Sequence, residues 1–207
     1  MKIENASKLK MLQNLFQSMF ILTGFQPFGS FSYNPAEILA EATSQKLKEL
    51  GIKCSSKSIS VTPKAADQFY DNLIVIDQTN LPFIVHIGLN ASESEMTLET
   101  QAQNCLCFSS NEGDKTIDDT LSIESILVNP IDVKGLQKEL YSQFSLSNDA
   151  GTYLCNYIYY RGLQNIGKKI KGCIFVHIPL FEVMPQATQM ENLCNLVQKI
   201  QQLLLKN

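Results

Sequence analysis

Three short apolar runs constrain this chain more than any other feature. Residues 20–23, 83–87 and 173–177 are rich in Ile, Val and Phe, and Gly24, Gly88 and Pro179 stand at their ends. Runs of this length and composition suit strands buried on both faces of a mainly parallel sheet. Helix starts stand between them. Asn34 can cap, Pro35 fits the first helical position and Glu37 lies three residues after the cap, with Gly51 as the stop. Thr62-Pro63 repeats the signal ahead of Ala66, Phe69, Tyr70 and Leu73.

Further along, 96–107 reads as extended, 108–131 mostly as loop and 132–144 as helix. Gly151-Thr152 opens another helix running toward Gly162. Met190, Leu193, Val197, Ile200 and Leu204 form the inner stripe of a last one. Alternating strands and helices imply an α/β fold, a three-layer α/β/α sandwich around a mixed, largely parallel central sheet. Residues 1–18 fit neither a targeting peptide nor a strand and read as a dispensable extension; 19–207 reads as a single domain.

Composition narrows the functions. With 17 basic and 20 acidic side chains the net charge is −3, and there is no long Lys/Arg run. That argues against a nucleic-acid partner or a polybasic membrane surface. No apolar stretch approaches the length of a membrane span. The six cysteines form no Cys-x-x-Cys pair, so neither a zinc site nor a disulfide framework is expected. They read as reduced thiols in a cytoplasmic protein that uses no metal or cofactor.

Ligands of open α/β sheets collect at the carboxyl ends of the strands, here TGFQPFGSF, HIGLNASESEMTLE and VHIPLFE, with DAGTYLCN entering a helix. If Thr152 caps that helix, Cys155 lies in its first turn. Unpaired N–H groups and the helix dipole there favour a thiolate and a developing oxyanion. Most free cysteines are only small buried hydrophobes, so position alone does not decide. A cysteine nucleophile needs an imidazole, and the imidazole needs an orienting partner. His177 closes a strand; His86 lies inside Val85-His86-Ile87 and suits a core role better. Glu93, Glu95, Glu99 and Glu182 are all open as the orienting acid. The loop at 24–29 lacks the Gly-Lys-Ser/Thr of a phosphate loop. Instead Phe25, Phe28 and Phe31 suit a small, flat, apolar group.

These segments resemble the pyroglutamyl-peptidase I family of cysteine peptidases. Thr23-Gly24-Phe25-Gln26-Pro27-Phe28-Gly29 with Asn34-Pro35 is similar to its opening motif. His86-Ile87-Gly88 with Thr97-Leu98-Glu99 and Asn104 is similar to its glycine-to-glutamate segment. Ala150-Gly151-Thr152-Tyr153-Leu154-Cys155-Asn156 is similar to its nucleophile motif, and Phe175-Val176-His177-Ile178-Pro179 to its histidine motif. The resemblance implies Cys155 as nucleophile, His177 as general base and acid, and Glu99 orienting His177. It implies a substrate pocket of Phe25, Phe28, Phe31, Tyr153 and Leu154, with Thr62 a weaker member. It also implies peptides with an N-terminal pyroglutamate as partners, and a monomer or homo-oligomer. Two stretches depart from the family: Leu89-Asn90-Ala91-Ser92-Glu93 replaces a stretch ending in arginine, and Gln26 replaces glutamate. A silent pyroglutamyl-binding protein is the competing expectation. A nucleoside enzyme is a weaker one, because it leaves Cys155 without a role.

Overall fold

The computed structural model describes residues 19–29, 32–75, 78–107 and 113–206. The extension read at 1–18 and the aromatic Phe31 lie outside the described residues. In chain order the elements are β1 (Phe20–Phe25), α1 (Pro35–Glu49), β2 (Cys54–Ile59), α2 (Pro63–Asp71), β3 (Phe83–Leu89), β4 (Thr97–Glu99) and β5 (Gln101–Gln103). There follow β6 (Ile126–Val128), α3 (Val133–Glu139), β7 (Ser145–Ser147), α4 (Leu154–Asn165), β8 (Gly172–Ile178) and α5 (Gln186–Leu204).

The three apolar runs are the middle of the main sheet, whose order is β2-β1-β3-β8-β4-β7. The first four strands are mutually parallel, β4 runs antiparallel to β8, and β7 is parallel to β4. β5 and β6 pair separately, as an antiparallel two-stranded sheet. Side chains alternate across the sheet as strand geometry requires. Phe20, Leu22, Phe83, Val85, Ile174 and Val176 face a core shared with α1, α3 and α5. Ile21, Phe25, Ile84, Cys173 and Phe175 face the opposite core with α2 and α4. The sheet thus has helices on both faces, the expected three-layer, mixed architecture.

Two helix starts form as the sequence indicates. Asn34 Oδ1 accepts from the Ala36 N–H at 3.0 Å, and Thr62 Oγ1 accepts from the Ala65 N–H at 3.1 Å, each ahead of a proline in the first turn. Two other expectations need correction. The helix expected over 132–144 stops at Glu139, because the Leu140 carbonyl takes the N–H groups of Gln143 and Phe144 and turns the chain into β7. The helix expected to be capped by Thr152 begins at Leu154, behind Tyr153.

Candidate active site

Entry into α4 sets the position of Cys155. Asp149 Oδ1 accepts from the Gly151 N–H at 2.9 Å, and Gly151 adopts φ +77°, which L side chains rarely tolerate. The Thr152 carbonyl then accepts from the Cys107 N–H at 2.7 Å, so it is held by the neighbouring segment and Thr152 stays outside the helix. Tyr153 is the N-cap and has no side-chain cap bond. Cys155 is therefore the second helical residue, inside the turn whose N–H groups lack intrahelical acceptors. Asn156, fully buried, fixes this turn. Its Oδ1 accepts from the Gln103 N–H, and its Nδ2 donates to the carbonyls of Gln103 and Cys105, all at 2.8–2.9 Å.

His177 comes from the sheet. In register it lies beside Gly88 on β3 and opposite Thr97 on β4. Its Nδ1 is 2.7 Å from Glu99 Oε1, which leaves Nε2 for a hydrogen bond to the Cys155 side chain. Burial opposes a charge on this imidazole. The hydrogen bonds to Cys155 and Glu99, and the charges of both, outweigh burial and lift its pKa from 6.5 to about 10. Of the four carboxylates left open by the sequence, Glu99 is the one bonded to His177. Glu182 instead accepts from the Tyr33 hydroxyl and Glu93 from the Asn90 amide. His86 is buried with both ring nitrogens engaged, Nδ1 by Thr23 and Nε2 by Tyr70, and burial pushes its pKa down to about 3. It is a neutral core histidine.

A cavity of about 380 Å³ opens beside Cys155. Phe25, Phe28, Tyr153 and Leu154 line it, as do Asn34, Val61 and Leu89, which sequence reasoning missed. Asn34 could have been found: the side chain that caps α1 also donates from Nδ2 to the Gln26 carbonyl at 3.2 Å, closing the aromatic loop. Thr62, expected in the pocket, does not line it; its hydroxyl caps α2 and its neighbour Val61 takes that place. The Gln26 side chain accepts from Ser60 and does not line the cavity. A larger hollow of about 600 Å³ beside β7 is lined by neither cysteine nor histidine, so volume does not identify the site. Among the described residues, no three His, Cys, Asp or Glu side chains group as metal ligands.

A thiol, an imidazole and a carboxylate in sequence, at a helix N-terminus and beside an apolar slot, can carry out acyl transfer through a thioester. Comparison with known proteins points the same way. A family model described as pyroglutamyl peptidase matches residues 18–196. The pyrrolidone-carboxylate peptidase of Bacillus cereus strain G9842 is 33% identical over 174 residues, covering 77% of each chain. That of Fusobacterium nucleatum is 30% identical over 168 residues, with the same coverage. The crystal structure of pyrrolidone carboxyl peptidase from Pyrococcus furiosus shares the fold with a TM-score of 0.73 at 24% identity, over 90% of this chain and 99% of that one. The enzyme from Fervidobacterium islandicum superposes with a TM-score of 0.71 at 21% identity, over 89% and 99%.

Proposed function

The chain belongs to the pyroglutamyl peptidase family, and we propose that it cleaves the peptide bond after an N-terminal pyroglutamate through Cys155, His177 and Glu99. The observation that carries this reading is the continuous Cys155–His177–Glu99 chain beside the apolar cavity.

Pyroglutamate is a neutral lactam with no free amine, so its pocket needs no carboxylate to anchor a charged N-terminus. Phe25 and Phe28 offer flat apolar walls, and backbone groups of the loop can bond the lactam N–H and C=O. Proline has the ring without the lactam carbonyl and would leave those groups unpaired.

His177 takes the thiol proton as the Cys155 sulfur attacks the pyroglutamyl carbonyl carbon, and the carbonyl π pair moves onto oxygen, where N–H groups of the α4 first turn can donate to it. Collapse breaks the C–N bond while His177 gives its proton to the leaving amine. A thioester and the shortened peptide result. His177 then takes a proton from water as hydroxide adds to the thioester, the C–S bond breaks, and His177 returns that proton to the sulfur as pyroglutamate leaves. Glu99 holds the imidazole through Nδ1 and stabilises its charged form. This chemistry needs a reduced thiol, in keeping with a cytoplasmic setting.

Hydrolysis of pyroglutamyl-aminomethylcoumarin by wild type and Cys155→Ala tests the proposal. Turnover in the wild type alone supports it. No turnover by folded, reduced wild type would leave a binding protein, and equal cleavage of pyroglutamyl and prolyl substrates would refute the pocket assignment.

A further inference from the structure

Each of the three side chains in this reading stands on a different element: Cys155 on α4, Glu99 on β4 and His177 on β8. Acyl transfer needs them aligned to within a fraction of an ångström. Glu99 is poorly secured by its own side chain. Oε1 meets His177, while Oε2 is buried with no hydrogen-bond partner. The aim of the carboxylate therefore depends on what fixes the backbone of β4.

On one side β7 holds that backbone, with Glu99 beside Ser147 and the Thr100 N–H donating to the Ser147 carbonyl at 2.9 Å, whereas on the side of β8 the pairing ends at Leu98. β4 pairs with β8 at Thr97 and Leu98, and the chain then peels away at Thr100 to form β5 in the second sheet. Two buried side chains bridge the break. The Tyr159 hydroxyl donates to the Glu99 carbonyl at 2.8 Å. Asn129 Nδ2 donates to that same hydroxyl at 2.9 Å and to the Cys173 carbonyl on β8 at 2.8 Å. The Asn129 N–H donates to the Thr100 carbonyl at 2.9 Å, and its Oδ1 accepts from the Ile131 N–H at 3.0 Å. Tyr159 follows Cys155 by four residues, one turn along the same face of α4. Cys173 precedes His177 by four residues on β8. A single hydrogen-bonded node thus touches the helix of the nucleophile, the strand of the imidazole and the backbone of the carboxylate.

We propose that Tyr159, held by Asn129, is a positioning residue that fixes the Glu99 backbone relative to Cys155 and His177, so that its hydroxyl governs catalysis without touching substrate. The inference rests on the reading of Cys155, His177 and Glu99 given above. Tyr160 supplies an internal control: it is the next residue of α4, fully buried, and its hydroxyl has no hydrogen-bond partner.

The test compares wild type, Tyr159→Phe, Tyr160→Phe and Cys155→Ala on pyroglutamyl-aminomethylcoumarin. Tyr159→Phe is expected to lose about 10-fold or more in kcat with KM within twofold. The pH profile of kcat/KM and the NMR titration of His177 should shift with it, toward a less protonated imidazole. Tyr160→Phe should match wild type in all three. If wild type is silent, or Cys155→Ala still turns over, the underlying reading fails. If that reading holds but Tyr159→Phe keeps the wild-type kcat and pH profile, or Tyr160→Phe loses as much, the positioning role is overturned. Should Tyr159→Phe not fold, Asn129→Ala, which leaves the phenol but removes its donor, is judged by the same readouts.

Discussion

The Cys155 sulfur rests against Gly88 so closely that a Cβ at position 88 would fall 2.9 Å from it. The same Cβ would lie 2.6 Å from Phe175 Cζ, and the Phe175 ring packs 4.8 Å, centroid to centroid, from His177. Gly88 is therefore the gap in β3 that lets the Cys155 thiol and the His177 imidazole meet. Gly88→Ala should push the sulfur or the Phe175 ring aside. A displacement of that order costs about 100-fold in rate, and overpacking costs about 1–3 kcal/mol. The expected result is a folded protein with a modestly lower Tm and kcat reduced by about two orders of magnitude. Unchanged kcat would mean that the thiol reacts from another position.

Glu99 gives a second, separable effect. Glu99→Gln keeps the shape but removes the negative charge behind the imidazole, and an amide can present N–H to Nδ1 in place of an acceptor. Loss of a well-oriented acid–base partner costs about 10²–10⁴-fold, so kcat should fall at least about 100-fold while KM stays near wild type. His177 should titrate lower in the variant, because one of the groups that raises it is gone. A variant with wild-type kcat would remove Glu99 from the mechanism.

The two histidines should titrate on opposite sides of their ordinary value of 6.5. His177, facing Cys155 on α4 and Glu99 on β4, is lifted to about 10. Its contribution to stability is fully present below about pH 6.5 and is lost as pH rises through about 10. His86, facing Thr23 and Tyr70, is pushed down to about 3 by burial. Here the unfolded chain binds the proton first, so stability falls as pH drops from about 6.5 toward 3. Ring-nitrogen NMR at pH 8 should show one imidazolium and one neutral ring. Two rings titrating together near 6.5 would contradict both environments.

How much of this was legible in the sequence depended on how each residue is held. The caps at Asn34 and Thr62 were readable because their hydrogen bonds are local. The buried strands were readable because both faces are apolar. β2 escaped notice: only its ends, Cys54 and Ile59, are buried, so CSSKSI shows no period. β7, three residues at the sheet edge, escaped for a similar reason. The start of α4 lies one residue later than a Thr152 cap implies, because the Thr152 carbonyl bonds Cys107, a partner 45 positions away that local chemistry does not reveal. Glu99 could not be told from Glu93, Glu95 and Glu182 by spacing alone, since the choice is made when β4 pairs with β8. Asn129 lies in a stretch read as loop and Tyr159 in mid-helix, so nothing local marked either one.

Phe28 and Phe25 should separate binding from folding. Both line the cavity, but Phe25 is 6% exposed and packed into the core, whereas Phe28 is 43% exposed. Removing Phe28 strips a wall from the proposed substrate slot and little from the core. An aromatic face contributes about 0.5–1.5 kcal/mol beyond its buried area, and about 1.4 kcal/mol is tenfold in affinity. Phe28→Ala should therefore raise KM about 10-fold, leave kcat within about threefold and barely move Tm. Phe25→Ala should instead lose about 3–5 kcal/mol of stability, with activity falling as the folded fraction falls. Steady-state kinetics beside thermal melts of both variants decide the matter. A Phe28→Ala enzyme with unchanged KM would mean that the pyroglutamyl ring sits elsewhere.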